Sequence, residues 1–128
     1  MIESDSADAL ASIHTVEHVY VWEVEAMLTE WKRILKVGGK LIIELPSGNK
    51  VLAYLAHSVA NKEPLMPFMS MHALYGDPQH QDELMTHHWL WFKEPLREIL
   101  EKVGFRQIEF QEARYHFRFR DLRVECIK

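Results

Sequence analysis

Two groups of histidine residues carry the side chains in this sequence that are best suited to chemistry. The first group reads His14-Thr-Val-Glu17-His18, and the second is the pair His87-His88. An imidazole titrates near neutral pH and ligates transition metals, and a neighbouring carboxylate can orient it or share a metal with it. These residues could therefore transfer protons or bind a metal, depending on the elements that position them.

The spacing His14-x-x-Glu17-His18 is also that of inverted zinc peptidases. In those sites two histidines one helical turn apart bind zinc, and the glutamate between them is the general base. Here the motif directly follows a short apolar run, so we expect His14 at the end of a strand rather than on a helix. A zinc hydrolase is therefore the remote alternative. In the plainest interpretation Glu17 caps the next helix and the histidines are merely half-buried.

A strand, a helix and a second strand surround the first histidine group. Residues 10–13 and 41–45 are short apolar runs that predict strands, the second being richer in β-branched residues. Between them apolar residues recur at helical spacing, which predicts an amphipathic helix over 22–35 that stops at Gly38-Gly39. These apolar residues are Val24, Met27, Leu28, Trp31, Ile34 and Leu35. A strand, a helix and a strand in this order form a right-handed crossover, which implies a parallel sheet.

Residues 8–46 carry five features in a characteristic order. They are Asp8 before the first strand, the His14-x-x-Glu17-His18 motif, a helix with Glu30-Trp31-x-Arg33-x-Leu35-Lys36, the pair Gly38-Gly39, and a strand ending at Pro46. This pattern resembles the second half of a Rossmann-like (class I) S-adenosylmethionine-dependent methyltransferase. It is most similar to the small predicted bacterial methyltransferases that have Leu-Lys-Pro-Gly-Gly after the helix, although Val37 stands here in place of the proline.

The resemblance implies an α/β fold over the whole chain. The expected structure is a partial Rossmann-like methyltransferase sheet of about four strands, the last one antiparallel, with helices but without the donor-binding N-terminal half. We treat 1–128 as a single truncated domain with a polar lead-in at 1–7 and the crossover at 8–46. A long loop or lid follows at 61–93, and a closing helix and β-hairpin at 94–128. The hairpin is predicted from strands at 105–110 and 115–127, with a bend at Arg120-Asp121.

In this family the methyl donor S-adenosylmethionine lies over a Gly-x-Gly turn that follows the first strand, because only glycine permits so close a backbone approach. The only adjacent glycines of this sequence, Gly38 and Gly39, come after a predicted helix. We therefore expect a methyltransferase, or a fragment of one, that does not bind the donor alone.

By the resemblance, His14, Glu17 and His18 lie at the edge of the donor site, where the strands of an α/β sheet end. The candidate catalytic residues are His14, His87 and His88, since a neutral imidazole can take the proton of an acceptor hydroxyl or amine. Loop histidines more often have no catalytic role, and no metal is expected. The candidate acceptor-binding residues are Pro46, Tyr75, Gly76 and Trp89.

A sheet of only half the usual size would leave one strand edge and one face uncovered, and a partner chain could cover them. The strand near Leu10 would have an open edge, which proteins normally pair or cover. Both predicted helices, at 22–35 and 94–103, would pack on one face, so Val, Ile and Phe side chains on the other face would form an apolar patch. We therefore expect a homodimer, or a complex with a chain that supplies the missing half. A noncatalytic module that self-associates through this edge and face is the alternative to an enzyme.

Composition excludes several other classes of protein. Fifteen basic residues against 19 acidic ones give a net charge of -4, which argues against nonspecific binding to nucleic acid. The single cysteine, Cys126, excludes an internal disulfide and a cysteine-rich zinc module. No apolar run approaches the length of a membrane span. We expect a cytoplasmic protein whose methyl acceptor the sequence does not identify.

Overall fold

Residues 1–128, described by a computed structural model, form a four-stranded sheet and four α-helices. The strands are β1 (Ala7–Ile13), β2 (Leu35–Pro46), β3 (Arg106–Glu112) and β4 (Asp121–Ile127). The helices are α1 (Val21–Ile34), α2 (Gly48–Asn61), α3 (Met71–Tyr75) and α4 (Lys93–Val103). Short 3₁₀ turns lie at Val16–His18, Pro67–Met69 and Glu83–Met85.

The strands are arranged in the order β1-β2-β4-β3. β1 runs parallel to β2, and α1 makes the crossover between them. The last strand, β4, inserts between β2 and β3 and is antiparallel to both. This topology confirms the predicted α/β sheet with an antiparallel closing strand.

One face of the sheet packs against α1 and α4, which also contact each other. The side chain of Lys32 donates to the carbonyl oxygen of Val103 at 3.0 Å, and Lys102 pairs with Glu25 at 2.6 Å. The core between sheet and helices consists of Val16, Val24, Leu28, Leu35, Leu41, Ile43, Leu45, Trp91, Leu96, Leu100, Phe105, Leu122, Val124 and Cys126. Packing of both helices on one face is thus as predicted.

The glycine pair does not end α1, contrary to prediction. The helix ends at Ile34, and Leu35 already has extended backbone angles of φ -66° and ψ 139°. Leu35 pairs with Ala7 of β1, which draws this residue into the sheet, and the pairing register then shifts before Lys40. Gly38, with φ 80°, lies within β2 at this irregularity. Pairing with a distant strand therefore overrides the local helix signal.

Gly39→Ala is expected to lower the free energy of unfolding by about 2–3 kcal/mol, since overpacking against rigid backbone is costly. An added Cβ would lie 2.8 Å from the carbonyl oxygen of Lys36 and 3.2 Å from that of Asp8. Gly38→Ala is the matched control, because its Cβ would meet nothing within 4 Å and only the left-handed φ costs about 1 kcal/mol. Urea unfolding measures both. Equal losses would contradict the proposed clash.

The other face of the sheet carries ion pairs where an apolar patch was predicted. Arg123 lies 2.9 Å from Glu44 and 2.7 Å from Glu125, and Lys40 lies 3.0 Å from Glu125. Ile42, on the same face, is half-buried. The predicted apolar patch is wrong because strand alternation sends the apolar residues of β2 and β4 to the helix-covered face and leaves charged residues here.

The last strand is shorter than predicted. β4 begins at Asp121, and the residues before it form a loop in which the side chains of Tyr115, Phe117 and Phe119 are largely exposed. The first part of the strand predicted at 115–127 is therefore a loop, and the predicted bend at Arg120-Asp121 marks the start of β4. None of the helices combines the length and apolar character needed to cross a membrane.

Candidate functional site

A cleft of about 600 Å³ opens at the end of the sheet where the parallel strands β1 and β2 finish. Six of the eight histidines of the chain line it: His14, His18, His72, His80, His87 and His116. His14 directly follows the last residue of β1, and Asp121 at the start of β4 pairs with Pro46 at the end of β2. The sheet therefore brings together side chains from both ends of the chain.

His14 lies between two buried carboxylates. Its backbone takes a left-handed φ of 52°, and its amide donates to the carbonyl oxygen of Glu44 at 2.9 Å. Its Nε2 lies 2.7 Å from Oδ2 of Asp121, and its Nδ1 lies 2.8 Å from Oε1 of Glu17. Burial alone would lower the pKa of His14, but Asp121 and Glu17 outweigh it and raise the pKa to about 9. His14 is therefore an imidazolium at neutral pH.

Asp121 anchors this part of the site. It is fully buried, and it accepts hydrogen bonds from Nε of Arg120 at 2.6 Å and from the backbone amide of Phe117 at 3.2 Å. Burial alone would raise the pKa of Asp121, but His14 and Arg120 together lower it. Arg120, itself buried, also donates to the carbonyl oxygen of Phe68 at 3.2 Å. These contacts tie the loop before β4 to the histidine after β1.

A second polar group lies beside the first. Glu17 is buried, and His18 and His87 face the cleft with their ring centroids 4.7 Å apart in an edge-to-face arrangement. Nδ1 of His18 lies 3.1 Å from the carbonyl oxygen of Thr86, and Nδ1 of His87 lies 2.9 Å from that of Ala73. Burial lowers the pKa of His87, so its imidazole is neutral at pH 7.

His116 lies in the cleft beside His14. Its half-exposed ring lies 4.4 Å from that of His14, centroid to centroid, and its Nδ1 is 3.8 Å from Oδ2 of Asp121. Partial burial and the charge on His14 lower the pKa of His116. A neutral imidazole therefore lies beside a charged one, which gives the cleft both a proton acceptor and a fixed positive charge.

Several predicted site residues lie outside the cleft lining. The ring of His88 stacks on Tyr20 at 4.1 Å, and its backbone amide donates to the carbonyl oxygen of Glu17 at 2.7 Å. The four predicted acceptor-binding residues, Pro46, Tyr75, Gly76 and Trp89, do not line it either. Their roles in binding stay predictions, whereas His14, His18 and His87 do meet at the cleft with Glu17 buried behind them.

The backbone between His14 and His18 is not one helix. Only Val16–His18 forms a 3₁₀ turn, and His14 stands at the strand end, as the position of the motif predicts. The two histidines consequently lie in different polar groups, His14 with Asp121 and His18 with His87.

Sequence reasoning missed His72, His80 and His116 and noted Arg120 and Asp121 only as the position of a bend. These residues are up to 107 positions from His14, the separation between His14 and Asp121. One available signal was the predicted bend at Arg120-Asp121. The abundance of histidine, eight in 128 residues, was a second hint that no local spacing could resolve.

Comparison with known proteins gives one match by sequence. A family model described as a methyltransferase domain matches residues 1–43, which span β1, α1 and the first part of β2. Among curated proteins, none matches the chain significantly in sequence.

Solved structures match over nearly the whole chain. One from Archaeoglobus fulgidus, titled as a SAM-dependent methyltransferase, superposes with a TM-score of 0.63 at 15% identity, covering 99% of this chain and 62% of its own. The 1,6-didemethyltoxoflavin-N1-methyltransferase of Burkholderia thailandensis was solved with S-adenosylhomocysteine. It superposes with a TM-score of 0.63 at 12% identity, covering 100% of this chain and 46% of its own. A SAM-dependent methyltransferase structure from Thermotoga maritima superposes with a TM-score of 0.56 at 16% identity, covering 99% of this chain and 58% of its own. The chain thus spans less than two thirds of the length of each of these structures.

Proposed function

We propose that this chain, which has part of the fold of a class I S-adenosylmethionine-dependent methyltransferase, takes part in methyl transfer and forms the acceptor side of the site. The fold matches confirm the resemblance seen in residues 8–46. The single observation that supports the function is the histidine-lined cleft at the ends of β1 and β2, the edge at which α/β sheets bind their ligands.

The residues of the cleft fit one half of such a reaction. S-adenosylmethionine, when bound, supplies an electrophilic methyl group that a lone pair of the acceptor takes in line, while the electron pair of the S–C bond stays on sulfur. His116 accepts the acceptor's proton, because its imidazole is neutral and faces the cleft. His14 cannot serve as this base near neutral pH, since Asp121 and Glu17 hold it in the charged form. It instead holds those two carboxylates in place.

The residues present fit the donor itself only at its edge. Of the five glycines, two lie in the irregular part of β2, Gly48 starts α2 against the ring of Phe92, Gly76 caps α3, and Gly104 caps α4. None forms a Gly-x-Gly turn after a strand. We therefore propose that these 128 residues alone contact the donor through the cleft edge at His14 and His18, and bind it tightly only when a further chain segment or partner supplies the glycine turn.

S-Adenosylhomocysteine added at millimolar concentration to the isotopically labelled chain is expected to shift the NMR signals of cleft histidines, because the donor edge contacts them. Two-dimensional imidazole spectra measure this without needing a tight complex. His57, exposed on α2 outside the cleft, serves as the internal control. Unmoved signals for His14, His18 and His116, or equal shifts at His57, would contradict the proposal.

One observation favours the alternative of a noncatalytic interaction module. β1 is an edge strand whose outer side pairs with no other strand, and the side chains of Ala9 and Ala11 on it are exposed. Such an edge can pair with a second chain. Light scattering that gives a dimer, together with no NMR response to S-adenosylhomocysteine, would support this alternative over methyl transfer.

A further inference from the structure

Glu17, His18 and His87 form a polar group that the proton transfer proposed above does not use. One ligand-type atom from each residue lies within 4.8 Å of those of the other two. Two of the three residues face the cleft, and the third lies buried behind them. Glu17 and His18 lie between β1 and α1, and His87 lies in the long connection between β2 and α4, so the fold, rather than a local turn, assembles them.

The carboxylate of Glu17 has His14 as a counter-charge but is not fully hydrogen-bonded. The residue is 1% exposed, and its Oε2 has no hydrogen-bond partner. Its Oε1 lies 2.8 Å from Nδ1 of His14, but the contact does not have hydrogen-bond geometry. A buried carboxylate is costly unless it is paired and hydrogen-bonded or binds a metal. Its Oε2, which has no partner, is therefore available to a metal ion.

Both histidines of the group have the kind of backbone contact that supports a metal-bound histidine. Each Nδ1 faces a backbone carbonyl oxygen, that of Thr86 for His18 and that of Ala73 for His87. A carbonyl oxygen only accepts, so in a neutral ring each Nδ1 carries the proton and each Nε2 keeps a free lone pair. Donation from the second ring nitrogen to a carbonyl is the usual support of a metal-bound histidine.

We propose that Glu17, His18 and His87 bind a divalent first-row transition-metal ion such as Zn²⁺, with an open coordination position toward the cleft. Ligand atoms around zinc are about 3.3 Å apart, so closure requires side-chain shifts on the order of 1 Å. The neighbouring group of His14, His116 and Asp121 is a poorer site, because both nitrogens of His14 already face carboxylates. The proposal departs from the sequence-based expectation of no metal.

The ion would act on the acceptor. In its open position it can bind the acceptor's oxygen or nitrogen and make its proton easier to lose, while His116 takes that proton. This role rests on the proposed function, but metal binding itself does not. If Zn²⁺ binds and S-adenosylhomocysteine leaves the cleft histidines unmoved, the metal site stands and the methyl-transfer proposal fails.

Isothermal titration calorimetry of the EDTA-treated, dialysed chain with ZnCl₂ is expected to show one ion per chain. Glu17→Gln and His18→Gln should each weaken Zn²⁺ binding by at least about tenfold, because each removes one of three ligands. Titration with Co²⁺ should produce a visible absorption band typical of low coordination number, and both variants should lose it.

Two matched variants keep the test specific. His57→Gln removes an exposed histidine outside the cleft, and His116→Gln removes one from the neighbouring group, so both should keep the wild-type affinity. If circular dichroism shows that Glu17→Gln does not fold, His18→Gln still tests the proposal, because His18 is partly exposed and its replacement should not disturb the core. The proposal is overturned if the wild-type chain binds neither ion, or if His116→Gln weakens Zn²⁺ binding while His18→Gln does not.

Discussion

Glu44→Ala is expected to lower the free energy of unfolding by about 3–5 kcal/mol, the cost of breaking a buried ion pair from one side. Glu44 is fully buried on β2, where it lies 2.9 Å from Nη1 of Arg123 and accepts from the backbone amides of Arg114 at 2.8 Å and Tyr115 at 3.0 Å. The variant leaves all three donors without this acceptor. Arg123, itself buried, keeps only Glu125 as a counter-charge.

Guanidinium unfolding near pH 7 measures this loss, and Glu112→Ala is its matched control. Glu112 pairs with Lys50 at 3.0 Å, but its side chain is 60% exposed, so its removal should cost less than about 1 kcal/mol. Glu44→Gln should fall between the two, because an amide oxygen still accepts a hydrogen bond. A loss for Glu44→Ala no larger than for Glu112→Ala would show that the buried pair contributes nothing.

The same substitution should change the response to acid. Burial alone would raise the pKa of Glu44, but the amides of Tyr115 and Arg114 and the charge of Arg123 lower it. A carboxylate with a depressed folded pKa stabilises the fold above its unfolded pKa of about 4.5, and this stabilisation is lost as the pH falls through the folded value. The difference between wild type and Glu44→Ala should therefore shrink below about pH 4.5.

Asp121→Ala is expected to cost a similar 3–5 kcal/mol, since it leaves the buried Arg120 without its carboxylate and His14 with Glu17 alone. Asp8→Ala is the matched control, because Asp8 pairs with Lys36 at 2.8 Å but is 86% exposed. Chemical unfolding in the presence of EDTA compares the two variants. A smaller loss for Asp121→Asn than for Asp121→Ala would separate the effect of charge from that of packing.

Asp121 also affects how the stability of the fold changes with pH above neutrality. Burial lowers the pKa of His14, but Asp121 and Glu17 outweigh it and leave the pKa at about 9 against an ordinary 6.5. A histidine with a raised pKa stabilises the fold fully below the unfolded value and loses this contribution as pH rises through the folded one. Wild-type stability should therefore decline between pH 6.5 and about 9.

In Asp121→Ala this alkaline decline should be weaker, because one of the two carboxylates that support the charged imidazole is gone. The histidines with lowered pKa values, His87 and His116, are already neutral in this range and do not mask the effect. Unfolding curves at half-unit steps of pH measure it, and an NMR titration of His14 gives its pKa directly. An unchanged slope in the variant would argue that Asp121 does not hold the charge on His14.

Prediction from the sequence succeeded where the determining contacts are local. The predicted amphipathic helix α1 and the predicted closing helix α4 each depend on residues within a few positions of one another. The end of α1 was missed because Leu35 pairs with Ala7, 28 positions earlier, and no local pattern records that pairing.

The candidate site was predicted in part for the same reason. His14 could be placed at a strand end because it directly follows an apolar run. Its partner Asp121 could not, because the two meet only after β4 has inserted beside β2. His72, His80 and His87 lie in the connection between β2 and α4, whose path depends on how it packs. No periodic pattern in the sequence therefore predicts that they meet His18 at the cleft.

The insertion of β4 between β2 and β3 has a consequence for biosynthesis. Its last paired residue is Ile127, so the residues up to 127 must leave the ribosome before the middle position of the sheet can be filled. Until then β2 and β3 lack their shared neighbour, and the nascent chain presents strands ready to pair wrongly. The cleft is consequently assembled last, and a polypeptide that stops before β4 would have neither a closed sheet nor the carboxylate of Asp121 beside His14.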